Sequence, residues 1–180
     1  MVTSTVTVVQ CHPVPESFTI AVADRVRAVI ESTGQSPNVL NLYGDDVDLV
    51  SADAATVGEH RELLANTTTL VIIYPTWWSA QPSLLQAWFD RVWARADTTP
   101  HHFASIRQII VCTTHGSPKW LNALEGESGK RTVSRYLRHR CARRCRVKWI
   151  ALYGMDTVDA TGRQRHLDAV DRRLRRLLSR

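Results

Sequence analysis

Thr69 to Tyr74 reads TLVIIY, an apolar run with no polar alternation. A strand of that kind must be buried on both faces. That requires a parallel sheet with helices covering each side. Ile106 to Thr113 (IRQIIVCT) is a second buried-strand candidate, and Pro75 is expected to stop the first. Three more strands are predicted at Thr5 to Cys11 (TVTVVQC), Asn38 to Tyr43 (NVLNLY) and Val147 to Tyr153 (VKWIALY). Helical periodicity fills the gaps. Ser17 opens a run in which Phe18, Val22, Val26, Val29 and Ile30 share a face, and Gly34 ends it. Asp53 to Ala65 is a modest helix candidate, preceded by an acidic loop of Asp45, Asp46 and Asp48. Ser83 to Ala94 is the strongest, with Leu84/Leu85, Trp88/Phe89 and Val92/Trp93 repeating every four residues. Thr132 to Cys145 reads as a basic helix, and Gln164 to Leu178 as a last amphipathic one.

Strand and helix thus alternate five times, which predicts right-handed crossovers and an α/β sandwich. The 180 residues suit a single domain, 1–180, and form no internal repeat. Hydrophobic residues make up 44% and charged residues 22%, as in an ordinary globular protein. No apolar run approaches the ~20 residues that span a bilayer, so membrane insertion is not expected. The first ten residues lack a basic segment and a small-residue cleavage site. The cysteines Cys11, Cys112, Cys141 and Cys145 are scattered, so a cytoplasmic location with reduced thiols is expected. No metal site is expected: Cys141 and Cys145 are two ligands where structural zinc needs four, and His101-His102 reads as loop surface.

The net charge of +6 hides a split. Residues 1–129 carry 7 basic and 13 acidic side chains, residues 130–180 carry 16 and 4. No acid stands between Ser128 and Met155. Such a stretch can bind nucleic acid, attract an anionic nucleotide, or form a solvated helix face. With 20 Arg against 3 Lys, part of the bias can also reflect genome composition.

Open parallel sheets bind ligands beyond the carboxyl ends of their strands. Three loops in such places stand out. In His12-Pro13-Val14-Pro15-Glu16-Ser17-Phe18, Ser17 can cap its helix or bond a phosphate at the helix start. In Tyr74-Pro75-Thr76-Trp77-Trp78-Ser79-Ala80-Gln81-Pro82, adjacent tryptophans on an extended segment point to opposite sides, so at least one should line a cleft or interface. In Thr113-Thr114-His115-Gly116-Ser117-Pro118, small residues and a glycine let backbone approach a ligand. There is no G-x-G-x-x-G after the first strand, no P-loop and no G-x-S-x-G elbow.

Together, His12-Pro13…Ser17-Phe18, the run YPTWWSAQPSLLQAWFDRVW and Thr113-Thr114-His115-Gly116 resemble the flavodoxin-like NAD(P)H:quinone oxidoreductases. That family includes DT-diaphorase and the small bacterial flavoproteins that accompany potassium-efflux channels. The resemblance covers roughly residues 5–160. It implies a flavodoxin-like sandwich with a five-stranded parallel sheet in order 2-1-3-4-5. It also implies a bound flavin, FMN rather than FAD for a chain this short, and NAD(P)H as co-substrate. His12, Ser17, Phe18 and Thr19 would hold the flavin phosphate. Pro75, Thr76, Trp77, Trp78 and Ser79 would pack on the ring, and Thr113, Thr114, His115 and Gly116 would close over its pyrimidine side. A hydride would pass from the nicotinamide to the flavin, and both electrons then to a quinone-like acceptor.

Members are usually homodimers, and peripheral contact with a membrane transporter is the association the resemblance allows. Two departures matter. His115 stands where the family often has glycine. Leu121 and Glu127 occupy the positions of DT-diaphorase's tyrosine and histidine, so that proton relay is not supported. His115 is then the nearest titratable candidate for a catalytic role. All three loops lie in the acidic front of the chain, so nucleic acid is not an expected partner. A low-turnover regulatory or electron-carrier flavoprotein and a flavin-free basic module binding nucleic acid are the alternatives.

Overall fold

The structure is a computed structural model that describes residues 4–44, 54–94 and 102–179. The expected loop of Asp45, Asp46 and Asp48, residue Asp53 and His101 lie outside them. The strands are β1 (Val6–Gln10), β2 (Asn38–Asn41), β3 (Thr69–Thr76), β4 (Gln108–His115) and β5 (Arg146–Leu152). They form one parallel sheet in the order β2-β1-β3-β4-β5. The helices are α1 (Phe18–Glu31), α2 (Ala54–Ala65), α3 (Ser83–Trp88), α4 (Lys119–Leu124), α5 (Ser128–Arg131), α6 (Arg138–Arg140) and α7 (Ala160–Leu178). The fold and strand order are those the resemblance implied.

Strand alternation divides the core. Val71 and Ile73 of β3 pack with Val22, Val26 and Ile30 of α1 and Val170 and Leu174 of α7. Leu70, Ile72 and Tyr74 face the other way, onto Leu64, Trp88, Trp93, Val133 and Leu137. Both clusters are almost fully shielded from water, each large side chain contributing about 1.5–3 kcal/mol.

Four sequence expectations are corrected. Pro75 does not stop β3, which runs to Thr76 and pairs Pro75 with Thr114. Proline is tolerated here because it sits in the last rung but one, where the ladder is ending. The fourth strand starts later than expected and runs past Thr113 to His115, so Thr114 and His115 are sheet and not loop. The basic helix ends at Arg140, because Cys141 takes an extended conformation and bridges to Phe103. Cys141 and Cys145 are both buried, and Cys145 follows a turn closed by its N–H on the Ala142 carbonyl. Lastly, the helix from Ser83 changes character after Trp88: Phe89–Ala94 is a π-helical turn. A strict four-residue repeat drifts about 40° per step on a 3.6-residue helix. The wider π turn absorbs that drift, so that Phe89, Val92 and Trp93 are buried in the same core as Leu85 and Trp88.

In that core, the Trp88 indole N–H donates to His60 Nδ1 at 3.2 Å. The imidazole must be neutral to accept, and burial holds its pKa below the ordinary histidine value. Burial also lowers His12, His115 and His166. Each folded-state pKa then lies below its unfolded value. The unfolded chain takes up protons first as pH falls past about 6.5, so acidification favours unfolding. Thermal melting should therefore move to lower temperature between pH 7.5 and pH 5.5. A melting point that is flat or rising over that interval would contradict the assignment.

Candidate active site

A cleft of about 660 Å³ opens at the carboxyl ends of β1, β3 and β4. In this strand order the crossovers reverse direction between β1 and β3, and such switch points are where open α/β sheets take ligands. The volume falls in the ordinary range for a small-molecule or cofactor site.

The first wall is the start of α1. Ser17 has extended backbone and caps the helix, its Oγ accepting from the Ile20 N–H at 3.3 Å. The N–H groups of Phe18 and Thr19 belong to the first helical turn and have no helical acceptor. Together with the helix dipole they form an anion cradle. Val14 N–H donates to His12 Nδ1 at 3.0 Å, which fixes the imidazole, and the ring lies edge-on to Trp77 at 5.8 Å. Replacing Ser17 with alanine should destabilise the protein by about 0.5–2 kcal/mol, read as a lower denaturation midpoint.

The second wall is a tight hairpin. Trp77 and Ala80 exchange both backbone hydrogen bonds at 2.9 Å, with Trp78 and Ser79 at the turn. Both turn residues have left-handed backbone, φ +50° and +59°. Two-residue hairpins of this hand are the province of Asn-Gly and similar pairs. A tryptophan there is strained, and its side chain is 100% exposed. Trp77 is 42% exposed, so neither tryptophan is core. The turn is tied down from outside: Ser79 Oγ donates to Glu125, and Ser128 Oγ donates to the Ser79 carbonyl at 2.6 Å.

The third wall comes from the end of β4. Thr114 and Gly116 reach the cleft, and Thr114 Oγ1 lies 3.4 Å from Thr19 Oγ1, joining first and third walls. Thr113 points the other way and bonds Thr76 Oγ1 at 2.9 Å. His115 is 5% exposed and does not line the cleft. Its ring lies flat on Tyr153 with centroids 4.5 Å apart. Nδ1 meets Asn122 Oδ1 at 2.7 Å, while Asn122 Nδ2 donates to the Ser117 and Pro118 carbonyls. The oxygen end of Asn122 thus faces the ring, so Nδ1 carries the proton. His115 braces the loop from behind. The structure does not give it the access to a bound acceptor that a proton donor needs.

Of the thirteen expected site residues, the cleft gathers His12, Ser17, Phe18, Thr19, Pro75, Thr76, Trp77, Trp78, Thr114 and Gly116. Ser79, Thr113 and His115 stand behind its walls. Met155 and Asp156, in the turn after β5, complete the cleft together with Ser117, Pro118 and Leu121. Gly154 N–H donates to the Ser117 carbonyl at 3.0 Å and holds that turn in place. A Cβ on Gly116 would stand 2.6 Å from Asp156 Oδ2, so the glycine is what lets the carboxylate lie against the loop. Asp156 also follows a strand end, so the rule that pointed to the other three loops could have found it. Among the described residues no Lys or Arg lines the cleft.

A three-layer α/β/α sandwich with a cleft of this construction at its switch point defines a flavodoxin-like protein. Residues 4–178 match the Flavodoxin_2 family, described as a flavodoxin-like fold, and the chain belongs to that family. A curated relative, the uncharacterized NAD(P)H oxidoreductase YcaK of Escherichia coli, is 29% identical over 47% of this chain and 50% of its own length. The matched part thus spans about half of that relative. Three solved structures share the fold. Smu.1420 from Streptococcus mutans has a TM-score of 0.84 at 24% identity, covering 96% of this chain and 99% of that one. The NAD(P)H:quinone oxidoreductase from Methanothermobacter marburgensis has 0.72 at 23%, covering 96% and 94%. An FMN-dependent NADH-azoreductase from Bacillus anthracis, in complex with FMN, has 0.74 at 16%, covering 97% and 99%.

Proposed function

We propose that this chain is an FMN-dependent NAD(P)H oxidoreductase that passes two electrons to a quinone-like acceptor. The observation that carries this reading is one cleft combining a free helix start at Ser17–Thr19 with the Trp77–Ala80 hairpin. Such a site offers one end to a phosphate and an aromatic wall to a flat ring. Its volume suits a mononucleotide. The names of YcaK and of the two oxidoreductase structures agree with that chemistry. Bound FMN would supply the redox chemistry itself, taking a hydride from the nicotinamide and returning both electrons to the acceptor.

The chain's own residues do the rest. The N–H groups of Phe18 and Thr19, beside the Ser17 cap, bind the phosphate. Thr76 and Trp77 orient the ring, and Pro75 stiffens their approach. Thr114 and Gly116 admit the ring's polar edge closely. His115, Thr113 and Ser79 are positioning residues: they hold these loops through Asn122, Thr76 and Glu125. The nicotinamide and the acceptor take turns on the open side of the ring, so the mouth near Trp78 must stay accessible to flat molecules. We infer a homodimer as the working form, with a second copy reaching the fully exposed Trp78 at the rim and leaving the mouth beside it open. A cytoplasmic site of action fits four free, buried cysteines, although peripheral contact with a transporter would serve the same chemistry. No helix among the described residues is long and apolar enough to cross a membrane.

The test is direct. Purified protein should carry or take up FMN and show flavin absorbance. NADH or NADPH should bleach it, and menadione should restore it over many turnovers. Protein that cannot be loaded with FMN or FAD would overturn the proposal. Loading without turnover would leave an electron carrier in place of an enzyme.

A further inference from the structure

The arginine-rich stretch divides in space. Arg146 and Lys148 begin β5 and, with Arg107, Arg173 and Arg176, line grooves at the amino ends of the strands. β5 is seven residues long, so Arg146 stands about 20 Å from the end that meets the cleft. Those cations lie at the far end of the sheet and do not face a nucleotide seated in the cleft.

Lys130, Arg131 and Arg135 are placed differently. They line a recess of about 290 Å³ with Gly126, Glu127 and Ser134. Helix α4 stands between this recess and the cleft: Leu121 lines the cleft and Ala123 the recess. The two are about 3 Å apart along the helix axis. The recess is also fastened to the cleft wall, since Ser128 at the head of α5 bonds the Ser79 carbonyl. Left-handed backbone at Gly126 and Glu127 shapes its floor, and the Arg131 guanidinium folds over Gly126. The one acid, Glu127, is already engaged by Lys130 at 2.8 Å and by the Tyr153 hydroxyl at 3.1 Å. Arg131 and Arg135 have no carboxylate partner among the described residues. Two like charges four residues apart repel, and no carboxylate among the described residues pairs with either.

We propose that this recess binds the 2′-phosphate of NADPH, and so makes NADPH the preferred hydride donor. The inference rests on the oxidoreductase reading above. A phosphate monoester dianion matches paired guanidinium forks, with the Ser134 hydroxyl as a further donor. With the nicotinamide in the cleft, the adenosine must cross α4. That crest carries Trp120 and Leu124, 69% and 78% exposed, an apolar surface on which a base can lie. NADH lacks the 2′-phosphate and would gain nothing from the arginines.

The experiment uses the flavin-loaded full chain in two arms. Calorimetry should find adenosine 2′,5′-bisphosphate bound at least ten-fold tighter than 5′-AMP. Arg131→Gln with Arg135→Gln, which keeps much of each side-chain stem, should bring that ratio close to one. Steady-state kinetics should show kcat/KM favouring NADPH over NADH by about ten- to a hundred-fold, mostly through KM, and the same variant should erase the preference. Arg146→Gln with Arg173→Gln, at the far end of the sheet, should leave both ratios unchanged. Equal binding of bisphosphate and AMP by the native chain would overturn the proposal, and so would a preference that survives the Arg131/Arg135 change. The nucleotide-binding arm needs no turnover and runs equally on the full chain without flavin, so it decides the recess even if the oxidoreductase reading fails.

Discussion

Replacing Trp78 with asparagine should stabilise the flavin-free protein and weaken flavin binding. The two effects run in opposite directions because the tryptophan makes no intrachain packing to lose. It is fully exposed at φ +50°, in a turn that asparagine adopts readily. Relief of a left-handed bulky residue is worth about 1–2 kcal/mol. For a chain of this size that is about 2–8 °C in Tm. Adding Ser79→Gly, which completes the preferred turn pair, should extend the gain. Flavin affinity should fall by about ten-fold as the aromatic wall loses a member. A variant that retains full flavin affinity would show that Trp78 serves something other than the ring. A less stable apo-protein would show that the turn is not strained.

Trp88→Ala should have the largest effect on folding. The ring is fully buried between Phe89 at 5.7 Å and Trp93 at 6.4 Å. Its removal leaves a cavity and also strips His60 of its donor. The expected loss is about 3–5 kcal/mol, out of a total stability of roughly 5–15 kcal/mol. Trp88→Phe keeps most of the volume and should lose less. Chemical denaturation followed by circular dichroism separates the two, and near-equal midpoints for Trp88→Ala and native protein would refute the core assignment.

Much of this was legible in the residues. The TLVIIY run required a doubly covered parallel sheet, and the three loops marked most of the cleft. What the sequence hid has physical causes. Pro75 and the His115-Gly116 pair carry turn chemistry, so Pro75, Thr76, Thr114 and His115 read as loop. Their extension of the sheet decides that Thr114 faces the ligand while Thr113 and His115 face away. The strict four-residue repeat from Leu84 to Trp93 did carry the π turn, in a period slightly too long for an α-helix. The hairpin at Trp78 could not be foreseen, because its residues lack the turn chemistry that normally announces one. Asp156 sits in a turn without apolar patterning, and only its place after a strand marked it.

The two outer strands of the sheet among the described residues bear on how copies of this chain can meet. One edge is the four-residue β2, and the other, β5, presents the exposed Arg146 and Lys148. Short length and lysine or arginine on an outer strand are devices that block strand-to-strand joining. A sheet running continuously through two molecules is therefore closed off at both margins. Copies that associate must do so through loops and helices, the rim of the cleft among them. Where that rim takes part, assembly and access to the cleft become one surface's problem, and a change there would be felt in both.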